Sequence, residues 1–354
     1  MEYRRSLDGV RALCAAAVFA SHGFPGHGAG FLGVDVFFVL SGYLITRLLL
    51  DDVDHHGRVR IGRFYARRAR RVLPALFVTI ALAFALWPAG ERQQLARILP
   101  PVLFYYVNWC LTFGHPVPFL PHFWTLSVEE QFYLLWPLAV SVVAARGRFA
   151  LAAISGALIL ACAAARAALS FARPPLSYIF GFASTLGRAD QLLIGACAAA
   201  MQTSADPRWR DRLACVAGAL AWPSALGLAA VMIFMKAEIS PWFARGGYTA
   251  IALASAVVVV HCSTGARSRL NRLLGARPLA WVGRRSYGFY LFHLPIIEAL
   301  DPLRRRAGGA GWLVAALSAC ATLLLAWASY DLVESRFLMP GRLYPASVTI
   351  SPRT

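Results

Sequence analysis

The sequence predicts an all-α, polytopic membrane protein of about ten transmembrane helices with one re-entrant or interfacial segment. Two observations carry this. The 354 residues are 58% hydrophobic and only 15% charged, with a mean hydropathy of +0.57; a soluble domain of this size needs more polar surface. Apolar runs of about 20 residues, the length a helix needs to cross the hydrocarbon layer, recur from end to end. A transmembrane barrel would instead show strand-length segments of alternating polarity, and the sequence has no such pattern.

The start, MEYRRSLDGVRALCAAAVFA, has the basic beginning, apolar run and small-residue end of a signal peptide. Asp8 and Arg11 interrupt the run, so it reads as a retained first helix over 7–22. Further spans follow at 32–50, 72–88, 123–144, 149–170, 183–201, 213–235, 247–262, 279–300 and 312–333. The stretch ILPPVLFYYVNWCLTF at 98–113 holds a Pro-Pro pair and Asn108, and its assignment orients everything after it. If it does not cross, the arginines of 58–71, 146–148, 208–212 and 267–277 share one side with the N-terminus, as cytoplasmic loops of membrane proteins do. If it crosses, the clusters at 208–212 and 267–277 fall outside. It is therefore predicted to be re-entrant or interfacial, with both termini cytoplasmic in an inner, plasma membrane. One integral domain covers 1–340, and 341–354 is a short cytoplasmic tail.

The net charge of +18 would point to nucleic acid in a soluble protein. Here Arg-rich cytoplasmic loops account for it, and no nucleic-acid partner is expected. The seven cysteines form no CxxC pair and no metal-ligand spacing; they read as small core residues, and no metal is expected.

Five stretches hold polar residues where lipid would exclude them. In the first helix, Arg11 and His22 are eleven residues apart, close to three turns, so they share a face about 16 Å apart along the axis. Across a glycine-rich turn, Asp35 lies in the first turn of the second span, where a helix N-terminus favours a carboxylate. A short hairpin would bring it level with His22, as an acceptor that fixes the imidazole tautomer; His27 is a rival, more solvated partner. RIGRFYARRARRVLP, 60–74, spaces Arg63, Arg67, Arg70 and Arg71 as on an interfacial helix, suited to anionic lipid or to phosphates. HFWTLSVEEQFYLLWP, 122–137, sets Glu129 and Glu130 inside an apolar span; an ion pair with an arginine such as Arg188 would explain them without function. SYGFYLFHLP, 286–295, places Tyr287, Tyr290 and His293 on one broad face, where polar packing between helices is the plainer reading.

In this order the motifs resemble the membrane-bound acyltransferase-3 family. The Arg-x10-His of helix one, GVDVFFVLSGYLIT (33–46), RFYARRARRVLPAL (63–76), FWTLSVEEQFYLLWP (123–137) and SYGFYLFHLPI (286–296) carry the resemblance, which covers 1–340. It implies a ten-helix enzyme that takes an acyl group, commonly acetyl, from cytoplasmic acyl-CoA. The acyl group goes to a carbohydrate hydroxyl, often of a cell-envelope glycan such as lipopolysaccharide or exopolysaccharide. No cofactor is permanently bound; acyl-CoA is the donor substrate. The family's essential His falls on His22, its acidic partner on Asp35, its helix-one Arg on Arg11 and its Arg motif on Arg67, Arg68 and Arg71. No Ser or Cys joins His22 in a nucleophile motif, so the simpler expectation is His22 as general base for direct attack by the acceptor hydroxyl; an acyl-enzyme intermediate is the alternative route. Glu130, Trp124, Tyr287, Tyr290 and His293 are the candidate substrate contacts. Two other readings are an enzyme tailoring a diffusible product, such as a macrolide or oligosaccharide signal, and a proton-coupled transporter. A transporter usually shows repeat symmetry, which this sequence lacks.

Overall fold

The computed structural model describes residues 3–24, 28–87, 89–171, 176–235 and 241–338. His27, Lys236 and the predicted 341–354 tail lie outside them. Among these residues every regular element is helical: α1 (Arg5–Gly23), α2 (Gly33–His56), α3 (Ile61–Leu86), α4 (Arg92–Leu103), α5 (Val107–Thr112), α6 (Phe123–Val143), α7 (Arg148–Leu169), α8 (Leu176–Ala183), α9 (Thr185–Gln202), α10 (Pro207–Phe234), α11 (Tyr248–Thr264), α12 (Arg269–Leu274), α13 (Arg277–Arg284), α14 (Ser286–Arg306), α15 (Gly311–Ser329) and α16 (Ser335–Leu338).

Six helical segments, built on α2, α3, α7, α10, α11 and α15, are long and apolar enough to cross a membrane. The other four predicted spans fall on α1, α6, α9 and α14; the one placed at 279–300 is corrected, because the chain breaks at Arg285 between α13 and α14 and the long helix is Ser286–Arg306. These four helices run 18 to 21 residues, enough to cross the hydrocarbon layer, but each is interrupted by ionisable residues. Hydrophobicity alone thus misses four helices that carry buried polar side chains, among them Asp8, Ser127, Arg188 and His293. The stretch 98–113 forms no crossing helix. It breaks between α4 and α5, where Tyr105 takes φ +54°, and pieces of twelve and six residues are too short to span about 30 Å. The stretch 60–74, read as an interfacial helix leading into the third span, runs into that span without a break. It is the first half of the continuous α3, which holds Pro74 inside it.

Burial sorts the bundle into an inner and an outer set. The apolar window of α2 is 67% buried and that of α11 is 56%, against 11% for α7 and α10. Outer helices turn residues such as Leu160 and Phe234 outward, as lipid-facing surfaces do. Cys215 on α10 and Cys320 on α15 are exposed on these surfaces rather than in the core, while Cys14 and Cys262 are buried. The inner helices approach closely where α2 crosses α9. A Cβ added to Gly42 would stand 1.9 Å from the Leu192 carbonyl oxygen, and one on Gly195 would stand 2.0 Å from that of Val39. Only glycine permits backbones this close. This crossing fixes what faces Asp35.

Candidate active site

A cavity of about 280 Å³ opens between α1, α2, α3, α6 and α14. Its polar wall holds Arg11 from α1, Arg68 and Arg71 from α3, and Glu129 from α6; Leu44, Ile45 and Leu48 of α2 line the apolar side. Arg68 donates through Nε and Nη2 to Glu130 Oε1 at 3.0 and 2.7 Å and lies 3.9 Å over the Tyr133 ring. Its charge is thereby held in place and part-neutralised. Glu129 accepts from Ser41 Oγ at 2.8 Å. Arg11 has only a long pair with Asp8, 3.8 Å, one turn back. Arg71 makes no hydrogen bond or ion pair with any described residue, so two cations keep donors for an anionic guest. Tyr287 Oη donates to the Val72 carbonyl at 3.4 Å, joining α14 to α3.

Tyr290 lines the same cavity. Its hydroxyl donates to the His122 carbonyl at 3.1 Å and shares a 2.7 Å hydrogen bond with Thr125 Oγ1. On its other side the ring stands 5.3 Å from His293 and 5.7 Å from His122, centroid to centroid. His22 and His122 each lie 5.2 Å from His293. The end of α1, the start of α6 and the second turn of α14 therefore bring three imidazoles together behind Tyr290. His22 is exposed; His122 and His293 are buried. The backbone orients each ring. His22 Nδ1 donates to Val18 O at 2.9 Å, His122 Nε2 to Leu291 O at 3.1 Å, and His293 Nδ1 to Tyr290 O at 2.5 Å. A carbonyl only accepts, so each bonded nitrogen carries the proton and the opposite nitrogen keeps its lone pair. Among the described residues no group of three His, Cys, Asp or Glu is arranged to hold a metal.

Five expectations change. Asp35 does not pair with His22. It is fully buried and accepts from Arg188 Nη2 at 3.2 Å, because the α2–α9 crossing turns it inward, where a guanidinium supplies the full charge that a neutral imidazole lacks. Arg188, proposed as partner to the two glutamates, is thus taken by Asp35. Arg67 points away from the cavity toward Asp52, 4.0 Å away. Glu130 accepts from Arg68, while its neighbour Glu129, 3.9 Å from the same guanidinium, faces the cavity; adjacent helical residues diverge by about 100°. Trp124 is buried against Phe38 and Phe182 and lies 5.4 Å from the Arg188 guanidinium. It walls that ion pair, not the cavity. Arg11, Arg68, Arg71, Tyr287 and Tyr290 line the cavity, and His22 and His293 meet behind it. Sequence reading passed over His122, whose only signal is its place at the head of the Trp-Thr-Leu-Ser-Val-Glu-Glu stretch. It also passed over Arg166 and Asp190, whose pairing across α7 and α9 leaves no mark on either helix alone.

A protein-family model described as an acyltransferase domain matches residues 4–331. Among curated relatives, YrhL of Bacillus subtilis is 33% identical over 96% of this chain and 55% of its own. The peptidoglycan O-acetyltransferase OatA of Listeria monocytogenes is 32% identical over 94% and 56%, and the O-acetyltransferase OatA of Staphylococcus aureus is 29% identical over 96% and 58%. The chain spans a little over half the length of these relatives. No solved structure matches it.

Proposed function

The chain belongs to the acyltransferase-3 family, and from that premise we propose that it moves an acetyl group from cytoplasmic acyl-CoA to a hydroxyl of a cell-envelope glycan. The names of the relatives favour peptidoglycan as the acceptor. One observation carries the reading: a single helix, α1, delivers Arg11 to the cavity and His22 to the histidine cluster. Over eleven residues these positions lie about 16 Å apart along the axis.

In this reading the phosphate-bearing end of the donor sits against Arg71 and Arg11, whose donors are unspent. The flexible arm follows the aliphatic side of α2 toward Tyr290. His22, exposed and with Nε2 unprotonated, takes the proton of the acceptor hydroxyl as general base. The hydroxyl oxygen attacks the thioester carbonyl, the C–O ester bond forms, and the C–S bond breaks. Tyr290 is the ring shared by cavity and cluster, so the thioester reaches His22 only as that side chain turns. The orientation is N-terminus inside, which puts Arg11 toward the cytoplasm and His22 toward the outer face.

The test is His22→Ala in the full chain reconstituted with acetyl-CoA and peptidoglycan, reading glycan-bound acetyl by mass. Loss of a positioned general base predicts a fall of about 10²–10⁴-fold in transfer, with unfolding in detergent unchanged. Transfer at the wild-type rate overturns the assignment.

A further inference from the structure

A second cavity, of about 190 Å³, lies between the start of α7, the end of α9 and the start of α10, and shares no residue with the first. Toward the helix interiors it is lined by Ala152, Ala153, Cys197 and Ala200, and at the helix ends by Arg148, Phe149 and Trp209. The small side chains make the space. They let α7 and α9 close on each other, with Cys197 Sγ donating to the Ala152 carbonyl at 3.6 Å, and leave a slot where α10 diverges. Along α7 the lining runs from Arg148 to Ala153, five residues or about 8 Å. That is about half of one leaflet's hydrocarbon.

The slot opens on the outer set of helices. The apolar windows of α7 and α10 are each only 11% buried, and Ala153 itself is exposed. Phe149 and Trp209, 66% and 37% exposed, stand at its mouth with ring centroids 6.2 Å apart, and a Trp at a helix end marks the level of lipid head groups. The mouth is basic. The Arg212 guanidinium stands 6.0 Å over the Trp209 ring. Arg208, four residues before it, shares that face of α10. Both are exposed, and neither side chain makes a hydrogen bond or ion pair with a described residue. The stretches 146–148 and 208–212 bring five arginines to this end of the helices. Three carboxylates stand against them, and two are spent: Asp54 on Arg148, and Asp206 on the Arg208 backbone N–H that it caps. The third is Asp211.

We propose that this slot binds one anionic phospholipid, with an acyl chain over Ala153 and Ala200 and the phosphate against Arg208 and Arg212. The two halves of the site select the occupant together. An apolar slot open sideways to lipid is filled from the bilayer, and a basic mouth at head-group level selects a negative head group. A protein docking from the aqueous side would meet the arginines and leave the slot unfilled. A neutral lipid would fill the slot and leave the arginines unanswered. A lipid seated here braces α10 against α7 and α9, and α9 is the helix that carries Arg188 and Asp190. The site stands apart from acyl transfer, because none of its residues lines the first cavity or touches the histidines.

The test uses the full chain in neutral detergent micelles and native mass spectrometry, with phosphatidylglycerol and phosphatidylcholine of identical chains as probes. Wild type is expected to hold one phosphatidylglycerol about tenfold to thirtyfold more tightly than phosphatidylcholine, the value of two arginines near a membrane surface. Arg208→Gln with Arg212→Gln removes that preference and leaves phosphatidylcholine binding unchanged. Ala153→Phe fills the slot and is expected to weaken both lipids about tenfold, because the chain loses its packing against α7 and α9. Equal affinity of wild type for the two lipids overturns the proposal. So does phosphatidylglycerol binding that either variant leaves at the wild-type level, since the lipid then sits elsewhere. A wild-type dimer that Ala153→Phe dissociates, with no lipid retained, assigns the slot to a second copy of the chain and overturns it as well. Should Ala153→Phe fail to fold, the arginine variant, which alters exposed side chains only, decides.

Discussion

Two polar constellations sit in this bundle, and they are built on opposite plans. Between α7, α9 and α11, Arg166 spends all five of its N–H donors: on both oxygens of Asp190, on Thr249 Oγ1, and on the carbonyls of Gly187 and Ala244, at 2.6–3.3 Å. Ser184 caps α9, accepting from Gly187 N at 2.9 Å, and so sets the turn that presents Arg188 and Asp190. Arg188 beside it is not saturated: it lies 3.9 Å over the Tyr248 ring and holds Asp35 through Nη2 alone, and its Nε and Nη1 and Asp35 Oδ1 make no hydrogen bond. Between α1, α6 and α14 the reverse of the Arg166 plan holds. Three histidines each keep one nitrogen unspent, and the neighbouring cavity keeps Arg11 and Arg71 with donors to give. A saturated charge network fixes helices; an unsaturated one is ready for a guest or a proton. The difference separates the Arg166 network, which ties α7, α9 and α11 together, from the polar residues proposed to act.

The strongest way to break that contrast is Arg166→Met. It leaves Asp190 buried without its counter-charge, and about 3–5 kcal/mol of stability should be lost. Denaturant unfolding in micelles reads this, and an unchanged midpoint would show that the saturated network holds nothing. Next comes Asp35→Asn. It weakens the Arg188 pair and should cost about 1–3 kcal/mol, while transfer per folded molecule stays near wild type because Asp35 does not touch His22. A stably folded Asp35→Asn protein with collapsed turnover would move Asp35 into the acting set. The smallest effect sharpens the cavity side. Arg71→Ala removes a free cation and should raise KM for acetyl-CoA about tenfold, the value of one charge-assisted contact. Arg67→Ala, whose side chain points to Asp52, should raise it less. Equal KM values in both variants would return the arginines to anchoring on anionic lipid.

The helices were legible because apolar length is a one-dimensional property. The break at 98–113 was too, since Pro-Pro and Asn108 mark it. The shared helix of Arg11 and His22 followed from spacing alone. Rotation was harder. Glu129 and Glu130 are equivalent in the sequence, and which one faces the cavity depends on how α6 is turned against α3, where Arg68 captures Glu130. His122 sits just before α6, where a lone histidine reads as an interfacial residue. Only the approach of α14 gives it His293 as a neighbour.

By itself the sequence determined the class, the helices and the axial position of each polar residue, because helix rise and membrane thickness are fixed lengths. Pairing was decided by the tertiary structure alone. Asp35 stands in the first turn of α2 in either description, but the glycine crossing at Gly42 and Gly195 turns it to Arg188 rather than to His22. Which side chains meet depends on the rotation and closeness of helices far apart in the chain, and packing between their backbones sets both.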